Sequence, residues 1–387
     1  MNKRFIKASL LSLFLGLSVF TFAQNTQATI DQQWQHADYK TNKKAGVSSE
    51  KAYTELVAGK TQAPIVVAVI DSGTESFHED LKMNLWTNTD EIPGNGIDDD
   101  KNGYIDDMHG WSFIGGASGD VAQDNLEFTR VYKDLKDKYS ARLASEIGPA
   151  DKAEYDKYLD FKKQFEERVA KAKEEKQQFD SFNQIYSLAD NTMANLLGKK
   201  DYTLEELKAL NVTDETNKGF KALMVQMKEL KMDEQIPDWK KHVEETLKYS
   251  YNLEFDPRSV VGDNYSDPNE RYYGNNHIDG PESDHGTHVG GIIGAAYNGI
   301  GMDGICKTAQ LMIIRCVPAG DERDKDVANA IRYAVDNGAK IINMSFGKAY
   351  SPYKSVVDEA VKYAESKGVL LIHAAGNDNK DLDVSDN

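Results

Sequence analysis

Three residues far apart in this sequence have the types needed to move a proton. Asp71 stands directly after the apolar run Ala63–Ile70, His285 opens the small-residue segment His285–Ala296, and Asn377 follows another apolar run, Val369–Ala375. An Asp beside an imidazole fixes its tautomer and stabilises its protonated form. A neutral His can take a proton from a nucleophile, and an Asn N–H can steady a developing oxyanion. A helix N-terminus disfavours an imidazolium and a nearby carboxylate offsets that, which leaves a usable base near neutral pH. Taken singly, each has a plainer reading: Asp71 alone could cap a helix or end a turn.

Bringing the three together requires particular elements. Ala63–Ile70, Leu311–Val317, Lys340–Phe346 and Val369–Ala375 read as buried strands, because each is a short apolar run rich in branched residues. Between them His285–Ala296, Asp326–Asn337 and Ser355–Ser366 read as helices. Strands alternating with helices predict an α/β fold with a parallel sheet covered on both faces. Ligands bind beyond the carboxyl ends of such strands, where Asp71, Ser345–Gly347 and Asn377 fall. Other residues take structural readings. His288 lies one turn after His285, but no HExxH is present, so it is expected to pack. His373 is expected to be a hydrogen-bonded core residue. Gly290–Gly294 lacks dinucleotide-binding spacing. Cys306 and Cys316 are expected to be buried or free thiols, with no bridge implied.

Four segments carry a family resemblance: Val67-Ala68-Val69-Ile70-Asp71-Ser72-Gly73, His285-Gly286-Thr287-His288-Val289-Gly290-Gly291, Asn343-Met344-Ser345-Phe346-Gly347 and Ala374-Ala375-Gly376-Asn377. In this order they closely resemble the successive signature blocks of subtilisin-like serine proteases, over about residues 30–110 and 255–387. The resemblance implies a three-layer α/β fold with a mostly parallel sheet, and peptide-bond hydrolysis through an Asp-His-Ser triad. It implies Asp71 as triad acid, His285 as base and Asn377 as oxyanion donor. Ser345, Phe346 and Gly347 would pair with substrate backbone, and Ala374, Ala375 and Gly376 would wall the specificity pocket.

Two departures follow. Over two hundred residues separate Asp71 from His285, where simple family members use a few dozen; a looped-out insertion accommodates this, because closure cost grows slowly with length. The family's Gly-Thr-Ser-Met-Ala block is absent, and Ser118, in a loop, is rejected as nucleophile. The expectation is a fragment whose C-terminal third, with the nucleophilic serine, lies past Asn387, and which is inactive as it stands. Loss of the serine costs on the order of 10⁶ in turnover in subtilisin.

A second site is suggested by Asp98–Asp107. Asp98, Asp100, Asn102, the Tyr104 carbonyl and Asp106 have the alternate spacing of a Ca²⁺ loop, with Gly103 at the turn. The closing glutamate of such loops is His109 here, so Asp107 becomes a candidate closing ligand; the alternative is a solvated acidic turn. The resemblance adds structural calcium as a family habit, with Asp80 at another ligand position.

Composition bounds the rest. With 46 basic and 63 acidic side chains the formal charge is −17, which repels phosphate backbones and argues against nucleic acid. Residues 1–23 read as a signal peptide: Lys3, Arg4 and Lys7 precede an apolar run too short for a comfortable membrane span. Export follows, to the medium or the cell envelope. Residues 24–62 form an N-terminal extension anchored by Trp34, and 63–120 and 255–387 form the two parts of the protease domain. Residues 121–254 are a charged helical insertion, including a helix from Lys152 to Phe182, and a possible surface for a protein partner. The competing function is a non-catalytic, calcium-stabilised secreted binding protein that uses this insertion.

Overall fold

Ile65–Asp71 (β1) has no polar residue before its last position, so both of its faces need cover. The computed structural model, which describes residues 33–377 together with 379, 381, 383 and 384, provides it. β1 is the middle strand of a sheet formed with Gly110–Ser112 (β2), Ala309–Arg315 (β5), Ile341–Met344 (β6) and Leu370–His373 (β7), in the order β2-β5-β1-β6-β7. All its pairings are parallel. Gly115–Gly116 (β3) and Gly119–Asp120 (β4) make a separate antiparallel pair.

Alternation along the strands divides their side chains between two layers. Ala68, Ile70, Met312, Ile314, Ile342 and Met344 pack with Val327, Ile331, Ala360 and Ala364 of the helices Asp324–Asp336 and Lys354–Ser366. Val67, Val69, Leu311 and Ile313 pack with Val289 and Ile293 of the helix Asp284–Gly294. The helix expected from Asp326 starts at Asp324, whose carboxylate accepts the Tyr353 N–H at 2.8 Å. β7 departs further from expectation. Among the described residues it is the outer strand and leaves Leu370, Ile372 and His373 exposed, where His373 was expected in the core; its ring stands edge-on to Phe346 at 6.3 Å. His288 is exposed rather than packed.

The signal-peptide residues 1–23 lie outside the described residues. Within the extension, Trp34 is half-exposed, and the anchoring falls instead to polar groups. The His36 ring bridges Ser49 Oγ at 2.6 Å and the Asp303 carbonyl at 3.1 Å, and the Tyr53 hydroxyl donates to the Ile305 carbonyl at 3.2 Å.

The chain separates into two units: residues up to Ala122 with those from Arg258 onward, and Gln123–Pro257. The second unit is helical. Its longest helix, Lys152–Leu197, runs 46 residues, past the expected end at Phe182, to the left-handed Gly198. No helix breaker intervenes, and the extra turns bury Ala189 and Met193 with Leu207 and Met224. Near its other end Phe161 and Phe165 stack on Phe128 and Tyr132 of Glu127–Tyr139, at 5.0 and 4.6 Å. No helix among the described residues is long and apolar enough to cross a membrane.

Candidate active site

The strand registers line up one residue from each strand at the carboxyl edge of the sheet. Ser112 stands opposite Arg315, and Arg315 opposite Asp71. One step beyond the pairs Ile70–Met344 and Met344–His373 come Ser345 and Ala374. Asp71 and the segments Ser345–Gly347 and Ala374–Gly376 therefore leave three adjacent strands on the same side, and the Ala374 N–H donates to the Met344 carbonyl at 3.1 Å.

His285 reaches this edge from the second position of its helix. Its Nδ1 lies 2.7 Å from Asp71 Oδ1, across 214 positions of sequence. The carboxylate is buried at 3% side-chain exposure and the imidazole open at 57%, so one face of the ring is held while the other meets solvent. Two glycines permit the approach. A Cβ on Gly286 would stand 2.0 Å from the Gly73 carbonyl, so only glycine lets the helix begin against the end of β1. Gly73 itself has φ 124°, a conformation that favours glycine, and the next residue, Thr74, donates its N–H to the Ile278 carbonyl at 3.0 Å. Farther along, the Glu75 N–H donates to Thr287 Oγ1 at 2.8 Å, tying the loop after β1 to the His285 helix. Asn377 is exposed beyond β7. Ser118 lies in the β3–β4 turn, its hydroxyl donating to the Val260 carbonyl at 3.3 Å. Cys306 and Cys316 are free thiols.

The acidic loop gathers a trio that differs from the spacing-based set. Ligand atoms of Glu91, Asp100 and Asp107 lie within 4.8 Å of one another. Of the five spaced positions only Asp100 belongs to this trio. The Asp98 carboxylate accepts the Asn102 and Gly103 N–H groups at 3.0 and 2.9 Å, closing the loop on itself. Asn102 Oδ1 accepts the Tyr104 N–H at 2.8 Å, while its Nδ2 donates to Asp100 and Asp107. The Tyr104 ring is buried against Trp111 and Tyr333, which leaves the expectation for its carbonyl as it stood. Asp106, in the left-handed region at φ 53°, accepts the Asn95 and Gly96 N–H groups at 3.1 and 2.9 Å. Asp80 is elsewhere and accepts Asn298 Nδ2 at 2.9 Å.

Glu91 falls outside the alternating pattern that flags the loop. The available signal was the Asp90-Glu91 pair ahead of Pro93-Gly94-Asn95-Gly96, a turn that folds the chain back onto Asp98–Asp107. Burial pushes the Asp107 carboxyl up to about 6, against hydrogen bonds from Tyr333, Asn88 and Asn102 and with the neighbouring Asp100 charge. Three crowded carboxylates and an all-oxygen donor set suit a hard cation such as Ca²⁺.

Comparison with known proteins shows the family. A model of the subtilase family (Peptidase_S8) matches residues 62–387. The minor extracellular protease Epr of Bacillus subtilis is 36% identical over 105 residues, 27% of this chain and 16% of Epr. A C5a peptidase of Streptococcus pyogenes is 40% identical over 108 residues, 25% of this chain and 9% of that protein. The thermophilic serine proteinase of Bacillus sp. AK1 is 37% identical over 97 residues, 24% of each chain. Among solved structures, the nisin leader peptidase NisP of Lactococcus lactis is 30% identical with a TM-score of 0.22, covering 28% of this chain and 34% of that one. The chain thus spans well under half the length of the relatives it matches. It belongs to the subtilase family of proteases.

Proposed function

We propose that this chain supplies the acid and base of an exported serine endopeptidase. The observation that carries the reading is the 2.7 Å contact between buried Asp71 and open His285 at the ligand-binding edge of the sheet. In the reaction, neutral His285 takes the proton of a serine hydroxyl at Nε2 as the serine oxygen bonds to the substrate carbonyl carbon. Asp71 holds the Nδ1 proton and stabilises the imidazolium. His285 then returns the proton to the leaving amine as the C–N bond breaks, and water repeats the cycle on the acyl-enzyme. Asn377 is assigned to the oxyanion, Ser345–Gly347 to substrate backbone and Ala374–Gly376 to the side-chain pocket. The nucleophile is assigned to sequence outside these 387 residues, because they contain no Gly-Thr-Ser-Met-Ala block. Polypeptides are the substrate. Export is supported by residues 1–23 and by the name of the extracellular Bacillus relative.

We assign structural Ca²⁺ to Glu91, Asp100 and Asp107. The test of the main reading is covalent labelling of the complete gene product by a fluorophosphonate, with the modified residue mapped. One labelled serine outside these residues is expected. A folded product that takes no label favours the non-catalytic binding protein instead.

A further inference from the structure

Arg315 ends β5 as Asp71 ends β1, and the register sets them side by side. Alternation puts both on the sheet face of Val69 and Ile313, beneath the His285 helix. A guanidinium is costly to bury, yet this one is 1% exposed. Its fork is spent on loop backbone. Nε donates to the Ser72 carbonyl at 2.9 Å, one terminal nitrogen to the Val121 carbonyl, and the other to Ser112 Oγ at 3.3 Å and Asp120 Oδ1 at 3.4 Å. Gly280 closes over it: a Cβ there would lie 2.2 Å from Nε. Asp120 also faces His277 Nδ1 at 3.0 Å and Asn275 Nδ2 at 3.2 Å. Burial draws the Arg315 guanidinium down to about 10, with Asp120 opposing, so it remains a cation at neutral pH.

Ser72 is thereby held at both ends. Its carbonyl accepts from Arg315, and its N–H donates to Asp71 Oδ1 at 2.8 Å. That oxygen is the one His285 meets, while Asp71 Oδ2 is buried with no hydrogen-bond partner among the described residues. The orientation of the carboxylate therefore depends on Ser72, and Ser72 depends on the guanidinium. We propose that Arg315 is the positioning residue of the Asp71–His285 pair: through Ser72 it fixes the carboxylate oxygen that receives the His285 Nδ1 proton. The proposal rests on reading Asp71 and His285 as such a pair.

The test is proton NMR on the complete gene product, where an imidazole Nδ1–H bound to a buried carboxylate resonates far downfield. His277→Ala removes the second His–Asp contact and leaves that signal in place; Asp71→Asn abolishes it and so assigns it. Arg315→Lys keeps the charge but loses the fork. It is expected to fold, by circular dichroism, yet lose the signal or move it upfield. A folded Arg315→Lys chain with the signal unchanged overturns the proposal. A signal that survives Asp71→Asn overturns the pairing itself, a separate failure. If Arg315→Lys does not fold, the unsubstituted chain decides. Its Arg315 Nε–H must exchange slowly and couple through the hydrogen bond to the Ser72 carbonyl, and a freely exchanging Nε–H overturns the proposal.

Discussion

The sheet unit and the helical unit differ in how much of their interior rests on charge. In the sheet unit charges are buried and directed. Arg258 forks onto Asp326 with both bonds at 2.7 Å, and Lys325, with no side-chain exposure, meets Asp263 and Glu270 at 2.6 Å. Lys348, just past Ser345–Gly347, reaches the Glu322 carbonyl and Asp324 at 2.8 Å. In the helical unit the interior is aromatic and Met-rich, and ion pairs such as Lys176–Asp180 at 2.6 Å stand in solvent. Buried ion pairs rarely stabilise more than apolar packing of the same volume. What they give the sheet unit is direction, holding the loops at its carboxyl edge; the helical unit is held mainly by packing, with one buried ionic cluster where Arg130 meets Glu127 at 2.7 Å and Asp124 at 3.4 Å.

The sharpest way to break this contrast is at the edge itself. In the complete gene product, Asp71→Asn should lower peptide hydrolysis on the order of 10⁴-fold with the melting temperature little changed, the scale seen for the triad acid in subtilisin. Next come matched lesions in the two interiors. Asp326→Leu leaves the buried Arg258 guanidinium with Asp263 as its remaining carboxylate, at 2.6 Å, and should cost about 3 kcal/mol. Phe179→Ala leaves a cavity among Met227, Ile236 and Val243 and should cost about 3–5 kcal/mol. Calorimetry should show the first lowering the transition of the sheet unit and the second that of the helical unit; a shared shift for both would erase the distinction.

A smaller effect is expected at the acidic trio. Ca²⁺ at about 100 times its dissociation constant should add about 2.7 kcal/mol to stability, and Glu91→Gln should remove most of that gain. The sign with pH follows from Asp107. Burial pushes its folded carboxyl up to about 6, above the ordinary carboxylate range, so without cation stability should fall as pH rises from that range to about 6. Bound Ca²⁺ should cancel the fall, which thermal melts with and without a chelator can read. Smallest of all, Lys176→Ala should change stability by no more than about 0.5 kcal/mol, because the pair is an exposed i,i+4 contact.

The sheet was legible where it rests on local pattern. β-branched runs marked β1, β5 and β6, and their carboxyl ends pointed to Asp71 and Ser345 without any knowledge of the insertion. What stayed hidden depends on distant partners. Arg315 read as one more strand residue, because nothing local shows that Ser72, Asp120 and Val121 surround it. The place of Glu91 beside Asp100 and Asp107 was not legible, because a turn, not a spacing, brings it there. His373 read as a core residue, whereas among the described residues β7 is the outer strand and leaves it exposed. The long helix outran its expected end for a related reason: Ala189 and Met193 become core only through Leu207 and Met224.

The central claim is that His285, oriented by Asp71, activates a serine nucleophile. It is tested most directly by measuring fluorophosphonate labelling of the complete gene product beside its His285→Ala variant, both confirmed as folded. The account predicts rapid labelling of one serine in the unsubstituted protein and loss of that labelling in the variant. Equal labelling rates in the two proteins would contradict it.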